Sequence, residues 1–227
     1  RTGSNLLISF LNSHPNIFAE GEIFSWLDGK DYKDILAKTF GKQAFRIKAK
    51  GFKIFYYHPF DDQEKEIWSE IINIQNLHVI HLKRKNVIRS FVSKKIAKQQ
   101  AVWVKRSPGF LSWMKKIFEK EMESKNHKAI TCSAQELKKE LSQTREWEKS
   151  GDEMFKDHPR IDIYYEDLII NPQGTFKKIT EFLGVKYSEP KTNLKKQNPE
   201  KIQNLVSNYD DLKVHFIGTE WESFFNE

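Results

Sequence analysis

Apolar and polar positions along the chain alternate between helical and strand spacing. A Leu-rich apolar face with helical spacing follows Ser4 and Asn5, either of which can cap a helix, and His14-Pro15 ends it. Further helices are predicted at 62–74, 86–100, 109–123, 134–155 and 172–183, the last stopped by Gly184. Short runs rich in aromatic and β-branched residues predict strands at 52–57, 77–82 and 161–165.

Strands separated by helices indicate parallel crossover connections, and hence a three-layer α/β fold with a central parallel sheet flanked by helices. No repeat or low-complexity tract interrupts residues 1–227, so we expect a single domain. Ligands of such sheets bind at the carboxyl ends of the strands, and candidate chemistry is therefore sought there.

Composition adds a preference for anionic partners. The 38 Lys and Arg residues exceed the 31 Asp and Glu residues, which gives a net charge of +7. The one cysteine, Cys132, excludes an intrachain disulfide and is interpreted as a packed thiol; it suits a reducing, cytoplasmic location. Within residues 1–227 we expect neither a signal peptide nor a transmembrane segment, because no apolar run is long enough to span a membrane.

The opening residues RTGSN form the first candidate anion site. A turn of small residues entering a helix presents backbone N–H groups and the positive end of the helix dipole, and Arg1 adds a full charge. An ordinary capped helix explains the same residues, so the turn alone does not distinguish an anion site from a helix cap. Neither the phosphate loop of nucleotide triphosphatases nor the Gly-rich dinucleotide motif is present.

A second candidate anion site follows the predicted strand 77–82. Arg84 stands at the strand tip and Ser93 on the next helix, and together they can hold one phosphate. The alternative is a solvated basic helix surface, because this segment contains more cations than one ligand can contact.

The ordered set of motifs resembles a known family. R-T-G-S-N-L-L is followed by H-P, G-E, L-K-R-K-N…S-F-V-S-K-K-I-A, and Y-Y-E-D-L-I-I-N-P…F-L-G-V. The set resembles sulfotransferases that use 3′-phosphoadenosine 5′-phosphosulfate (PAPS), and especially the bacterial carbohydrate and nodulation-factor type. The ending K-K-Q-N-P…V-S-N-Y-D-D-L…F-I-G-T-E-W is similar to the same group. The resemblance covers nearly the whole chain and implies a P-loop-like sulfotransferase fold.

The resemblance implies donor-binding residues at three places. The first loop would hold the 5′-phosphosulfate, although many members have Ser or Thr in place of Asn5. Arg84 and Ser93 would bind the 3′-phosphate, with Ser90 as the alternative because the spacing is one residue longer than in animal enzymes. The complete implied set is Arg1, Thr2, Gly3, Ser4, Asn5, Leu6, Arg84, Ser93, Tyr165, Lys195, Lys196 and Gln197.

The resemblance also implies catalytic residues. Glu22 is the first candidate for the base that deprotonates the acceptor, with Glu20 as its neighbour alternative and His58 as the second candidate. Lys53 and Arg1 would stabilise charge during in-line transfer of the sulfuryl group, which leaves 3′-phosphoadenosine 5′-phosphate (PAP). We expect no metal, because the sulfuryl group has less negative charge than a phosphoryl group and the sequence shows no ligand spacing.

The expected acceptor is a hydroxyl group of a carbohydrate or of a lipid-linked glycan. Trp103, Trp113 and Trp147 are candidates for its platform, and 101–156 is the expected specificity region. The alternatives are a small-molecule kinase with a degenerate phosphate loop and a basic nucleic-acid-binding protein. The second is disfavoured, since acidic residues interrupt every basic face. Family members place a central strand before the first loop, so we expect further residues upstream of Arg1.

Overall fold

The computed structural model describes residues 3–42, 44–62, 64–100, 129–194 and 199–226. Its helices are α1 Ser4–Ser13, α2 Tyr32–Phe40, α3 Ile67–Ile72, α4 Val87–Gln100, α5 Ala134–Met154, α6 Tyr165–Ile170, α7 Pro172–Phe182, α8 Ile202–Leu205 and α9 Tyr209–His215, with a 3₁₀ helix at Glu222–Phe225. Its strands are β1 Ile17–Glu20, β2 Ala49–Phe52, β3 Val79–Lys83 and β4 Arg160–Tyr164.

The chain divides into two compact units. The first contains the described residues within 86–144 and 193–226, and the second contains those within 3–85 and 145–192. All four strands belong to the second unit. The expectation of one domain over 1–227 stays a prediction.

The strands of the second unit pair in parallel, as the alternation of helices and strands predicts. β1 pairs with β2, with Ile17 opposite Ala49, and β3 pairs with β4, with Val79 opposite Arg160. Within the described ranges these pairs are two separate two-stranded sheets. The expected α/β class is confirmed, and the expected upstream strand stays a prediction.

Two apolar clusters support the sheets of the second unit. One joins the buried face of α1, through Leu7, Phe10 and Leu11, to Phe176 and Ile179 of α7. The other consists of Phe24, Phe155 and the buried residues of α3. Burying one such side chain contributes about 1.5–3 kcal/mol, so these faces account for the positions of the helices.

The first unit has its own apolar cluster. The buried face of α4, including Ile88, Phe91 and Val92, packs with Leu141 of α5 and Phe216. Cys132 is buried in this cluster, which confirms its interpretation as a packed thiol, and burial raises its pKa.

Several element predictions are confirmed and others need correction. α1, α4, α5 and α7 lie within one or two residues of their predicted bounds, and β3 and β4 within two. The predicted strand at 52–57 is wrong, because β2 ends at Phe52 and the following aromatic residues form a turn whose rings stack on one another. The sequence pattern missed β1 and α2, and α3 is shorter than the predicted 62–74. The predicted helix at 109–123 lies outside the described residues.

Among the helices of the described ranges, none combines the length and the apolar character that crossing a bilayer requires.

Candidate active site

Each strand of the second unit is followed within two residues by a residue that the sequence nominates. Glu22 follows β1 by two residues, Lys53 follows β2 directly, Arg84 follows β3, and Tyr165 follows β4. Within each parallel pair the carboxyl ends lie at the same edge. The candidates therefore occupy the edge at which sheets of this class bind ligands.

The amino end of α1 begins at Gly3. Gly3 has φ 90°, a left-handed conformation that glycine adopts without strain, and its carbonyl accepts hydrogen bonds from the amides of Leu6 and Leu7. The first amides of a helix have no intrahelical partner and lie at the positive end of the dipole, so this end of α1 favours an anion. Arg1 and Thr2 lie outside the described residues, and the roles assigned to them and to Ser4 and Leu6 stay predictions.

Lys53 joins the amino end of α1 to Glu22. Its Nζ atom donates to Oδ1 of Asn5 at 2.7 Å and lies 2.8 Å from Oε1 of Glu22. The Lys53 side chain is only 11% exposed, whereas that of Glu22 is 39% exposed. A mostly buried cation thus holds a solvent-accessible carboxylate beside the first turn of α1.

His58 lies on the other side of Glu22. Its side chain is fully buried, and its Nε2 atom is 3.9 Å from Oε2 of Glu22, without a hydrogen-bond partner among the described residues. Burial lowers the pKa of His58, and Lys53 and Lys65 lower it further against the opposing effect of Glu22. The ring is therefore neutral at pH 7.

The hydrogen bonding of His58 favours one tautomer. Its Nδ1 atom faces the backbone N–H of Phe55 at 3.4 Å, which makes Nδ1 an acceptor and puts the proton on Nε2. A ring protonated at Nε2 presents a donor toward Glu22. This arrangement favours Glu22 over His58 as a proton acceptor.

Tyr165 connects Gly3 to Arg84. A Cβ atom at Gly3 would lie 2.0 Å from Cδ2 of Tyr165, so the ring packs directly on the glycine. The guanidinium carbon of Arg84 lies 4.1 Å from the centre of the same ring, and Arg84 Nε is 3.1 Å from Glu166 Oε1. Tyr165 therefore brings the predicted 3′-phosphate residue next to the first loop.

The remaining candidates have separate positions. Ser93 and its alternative Ser90 are half-buried on α4, in the first unit, and their convergence with Arg84 stays a prediction. Glu20, the alternative base, accepts a hydrogen bond from Thr39 of α2 at 3.1 Å. Two further groups of candidates lie outside the described residues, namely Lys195, Lys196 and Gln197 of the tail, and Trp103 and Trp113 of the expected platform.

A charged cluster next to the candidate site was missed by sequence reasoning. Lys83 Nζ lies 2.9 Å from Asp152 and 2.7 Å from Asp162, and His81 Nδ1 lies 3.0 Å from Asp152. The Tyr56 hydroxyl is 2.6 Å from His81 Nε2. Burial lowers the pKa of His81, and so does the nearby Lys83.

The same cluster bears on the expectation that no metal binds. The ligand atoms of His81, Asp152 and Asp162 lie within 4.8 Å of one another, a grouping that could hold a metal ion. The ammonium group of Lys83 already pairs with both carboxylates. No short motif could reveal this cluster, because its members are up to 81 residues apart. The metal-free expectation stays a prediction.

Comparison with known proteins places the chain beside sulfotransferases. The model of the Sulfotransferase family matches residues 89–189. Nodulation protein H of Rhizobium tropici is 23% identical over 244 residues, covering 99% of this chain and 89% of that protein. Nodulation protein H of Rhizobium meliloti (strain 1021) is 23% identical over 251 residues, covering 99% and 91%.

A solved structure has the same fold. The crystal structure of a sulfotransferase from Alicyclobacillus acidocaldarius is 13% identical in sequence and superposes with a TM-score of 0.54. The matched region covers 100% of this chain and 92% of the Alicyclobacillus chain. These comparisons confirm the predicted resemblance and the P-loop-like α/β fold, and they support sulfotransfer in general as the reaction class.

Proposed function

We propose that this sulfotransferase-like chain transfers the sulfuryl group of PAPS to a hydroxyl group of a carbohydrate or glycolipid. The observation that supports the proposal most is the contact of Asn5, Lys53 and Glu22. It puts a cation, a carboxylate and the positive end of a helix at one place. Transfer of a charged group between two oxygens needs these elements together, because catalysis rests on positioning and charge stabilisation.

The proposed donor site extends from α1 to Arg84. The first turn of α1 would hold the 5′-phosphosulfate, and Arg84 would bind the 3′-phosphate together with Ser93. Tyr165 supports this assignment, since its ring contacts both Gly3 and Arg84 and thereby links the two ends of the site. The carboxylate of Glu166, 3.1 Å from Arg84 Nε, would hold the guanidinium in position for this contact.

In the proposed reaction the acceptor oxygen attacks sulfur in line with the bridging oxygen of the donor. The acceptor proton passes to Glu22, a bond forms between the acceptor oxygen and sulfur, and the sulfur–oxygen bond to PAP breaks. Lys53 would stabilise the negative charge on the departing oxygen. The Nε2–H group of His58 would orient Glu22, and no metal is required because side-chain cations supply the positive charge.

Calorimetry with PAP tests the donor site. We expect adenosine 5′-phosphate, which lacks the 3′-phosphate, to bind roughly 10- to 100-fold more weakly than PAP, as expected for a lost charge-assisted contact. Arg84→Met should remove this difference, whereas Lys85→Met, at the exposed neighbour, should preserve it. Equal affinity of the wild-type protein for both nucleotides would contradict the assignment. Turnover of ATP with Mg²⁺ but not of PAPS would instead favour a kinase.

Radiolabelled PAPS tests the base. Glu22→Gln should lower kcat by roughly 100- to 10,000-fold, the usual contribution of a general base, with little change in PAP affinity. Glu20→Gln is the matched control, since Glu20 bonds to Thr39 instead of Lys53. If His58→Ala lowers kcat and Glu22→Gln does not, the two base assignments must be exchanged.

A further inference from the structure

The stretch 35–60 contains six Lys and Arg residues and no Asp or Glu. The six are Lys38, Lys42, Arg46, Lys48, Lys50 and Lys53. Four of them are exposed and Lys50 is half-buried, whereas Lys53 belongs to the candidate active site. The expectation that acidic residues interrupt every basic face therefore does not hold for this stretch.

A tight turn puts an apolar ring among these cations. The amide of Ile47 donates to the carbonyl of Ala44 at 2.9 Å, so Phe45 and Arg46 are the central residues of the turn. Phe45 exposes its whole ring to solvent. The turn is fixed to the sheet, because Nδ2 of Asn16 donates to the carbonyl of Arg46 at 2.7 Å. The fold thus holds out an apolar ring that the described residues do not cover.

The start of β2 continues the same basic surface. Lys48 and Lys50 are two residues apart, the spacing that puts side chains on one side of a strand. Lys50 lies opposite Phe18 of β1, and its Nζ atom is 5.5 Å from the centre of that ring. Phe18 is 43% exposed. We name the basic face by its five residues, Phe18, Phe45, Arg46, Lys48 and Lys50.

The cations of the basic face have no internal counter-charge. Within the described part of the chain, none of Arg46, Lys48 and Lys50 forms an ion pair with a carboxylate. Unpaired cations close together attract an anionic partner. They also disfavour pairing of the basic face with the same face of a second copy, because like charges would meet.

The exposed ring indicates which anionic partner fits. An anionic membrane surface attracts clustered Lys and Arg side chains, and it offers the boundary of its acyl region to an apolar ring. Duplex nucleic acid offers phosphates but no apolar layer beside them. Single-stranded nucleic acid binds to rows of stacking rings, whereas here the ring of Phe18 is already approached by Lys50. A lipid surface therefore suits the basic face best.

The position of the basic face separates it from the candidate active site. Asn16, which fixes the turn, precedes β1, and Lys48 precedes β2. The candidate residues Glu22 and Lys53 follow the carboxyl ends of the same two strands. Docking through the amino end of this sheet would leave the candidate site open.

We infer that the basic face docks this protein on the surface of an anionic phospholipid membrane. Phe45 inserts between the lipid headgroups, and Arg46, Lys48 and Lys50 lie against the lipid phosphates. This attachment is peripheral and needs no membrane-spanning helix. The inference goes beyond the proposed function and does not depend on it.

Co-sedimentation with lipid vesicles tests the inference. We expect binding to phosphatidylcholine vesicles that contain about one-third phosphatidylglycerol, no binding to phosphatidylcholine alone, and release at about 0.5 M salt. The triple variant Arg46→Gln/Lys48→Gln/Lys50→Gln should weaken binding roughly 100-fold, or about fivefold per charge. Phe45→Ala should weaken it roughly three- to tenfold, because the ring no longer leaves water.

Two control variants are matched to these changes. Lys138→Gln/Lys139→Gln/Lys149→Gln makes the same change in net charge on α5, where the cations are exposed but interspersed with carboxylates. Ile170→Ala removes an apolar side chain that is 80% exposed. We expect each control to weaken binding less than about threefold, since exposed charges far from the contact are screened. A loss in each test variant no larger than that in its control overturns the inference, and circular dichroism checks that every variant is folded.

A fluorescent label reports the depth of the turn. Cys132 is buried, so a thiol-reactive dye labels Ala44→Cys selectively, and this variant keeps Phe45. We expect the emission of the dye to shift to shorter wavelength on phosphatidylglycerol vesicles, as it enters a less polar medium. Binding without such a shift overturns the insertion of Phe45.

Two other outcomes are distinguished by the same proteins. A wild-type protein that ignores the vesicles but retains an oligonucleotide, and loses it in the triple variant, has a nucleic-acid face instead, which overturns the inference. A wild-type protein that binds PAP but no vesicle refutes the inference alone. One that binds phosphatidylglycerol vesicles but not PAP refutes the proposed function alone.

Discussion

Replacement of Lys83 by Met tests the charged cluster at the carboxyl end of β3. Lys83 is 8% exposed, and its ammonium group lies 2.9 Å from Asp152 and 2.7 Å from Asp162. Burial disfavours its charge, but the hydrogen bonds to Asp162 and Asp152 outweigh burial and raise its pKa. Lys83→Met keeps most of the apolar stem and removes the cation, which leaves the two carboxylates facing each other.

The structure sets the size of the effect. Removing one partner of a buried ion pair costs about 3–5 kcal/mol. The carboxylates are 36% and 32% exposed, so water recovers part of this loss, and Arg160 still lies 3.1 Å from Asp152. We therefore expect Lys83→Met to lower the free energy of unfolding by about 2–3 kcal/mol.

Urea denaturation followed by circular dichroism measures this loss through the transition midpoint. Lys85→Met is the control, since Lys85 pairs with Asp167 at the surface, where an ion pair contributes about 0–1 kcal/mol. Adding Asp162→Asn to Lys83→Met should recover part of the loss by removing one unpaired carboxylate. A loss in Lys83→Met no larger than that in Lys85→Met would refute the reasoning.

Two further predictions concern the histidines and the first glycine. Burial lowers the pKa of both His58 and His81 below their ordinary 6.5 in the folded protein. The two neutral rings therefore contribute their full stability above pH 6.5, and this contribution is lost as the pH falls from 6.5 toward the folded pKa. Thermal melts between about pH 8 and pH 5 should show a falling Tm that is less steep in His58→Gln; a flat profile would contradict this. Gly3→Ala should destabilise by roughly 2–4 kcal/mol, since Cβ would meet the Tyr165 ring at 2.0 Å and φ is 90°. Gly184→Ala, with φ 65° and no atom within 4 Å of its Cβ, should cost only about 1 kcal/mol in the same urea assay; equal losses would mean that the ring contact contributes nothing.

Local patterns were sufficient where an element is long or alternates clearly. The 21 residues of α5 and the 14 of α4 repeat their apolar face over several turns, and β3 alternates over five residues. β1 and β2 have four residues each, too few for periodicity to distinguish them from a turn. The aromatic run after Phe52 has the composition of a strand, but its rings are satisfied by stacking on one another at a turn.

The sequence by itself determined the resemblance, the α/β class and the bounds of β3 and β4, because each of these depends on short motifs and neighbours within a few positions. Only the tertiary structure decided that Lys53 bridges Asn5 and Glu22, and that Tyr165 lies between Gly3 and Arg84. The Lys83 cluster was also decided there. The physical reason is that these contacts join side chains many residues apart, whose distances depend on strand register and helix packing rather than on local conformational preference.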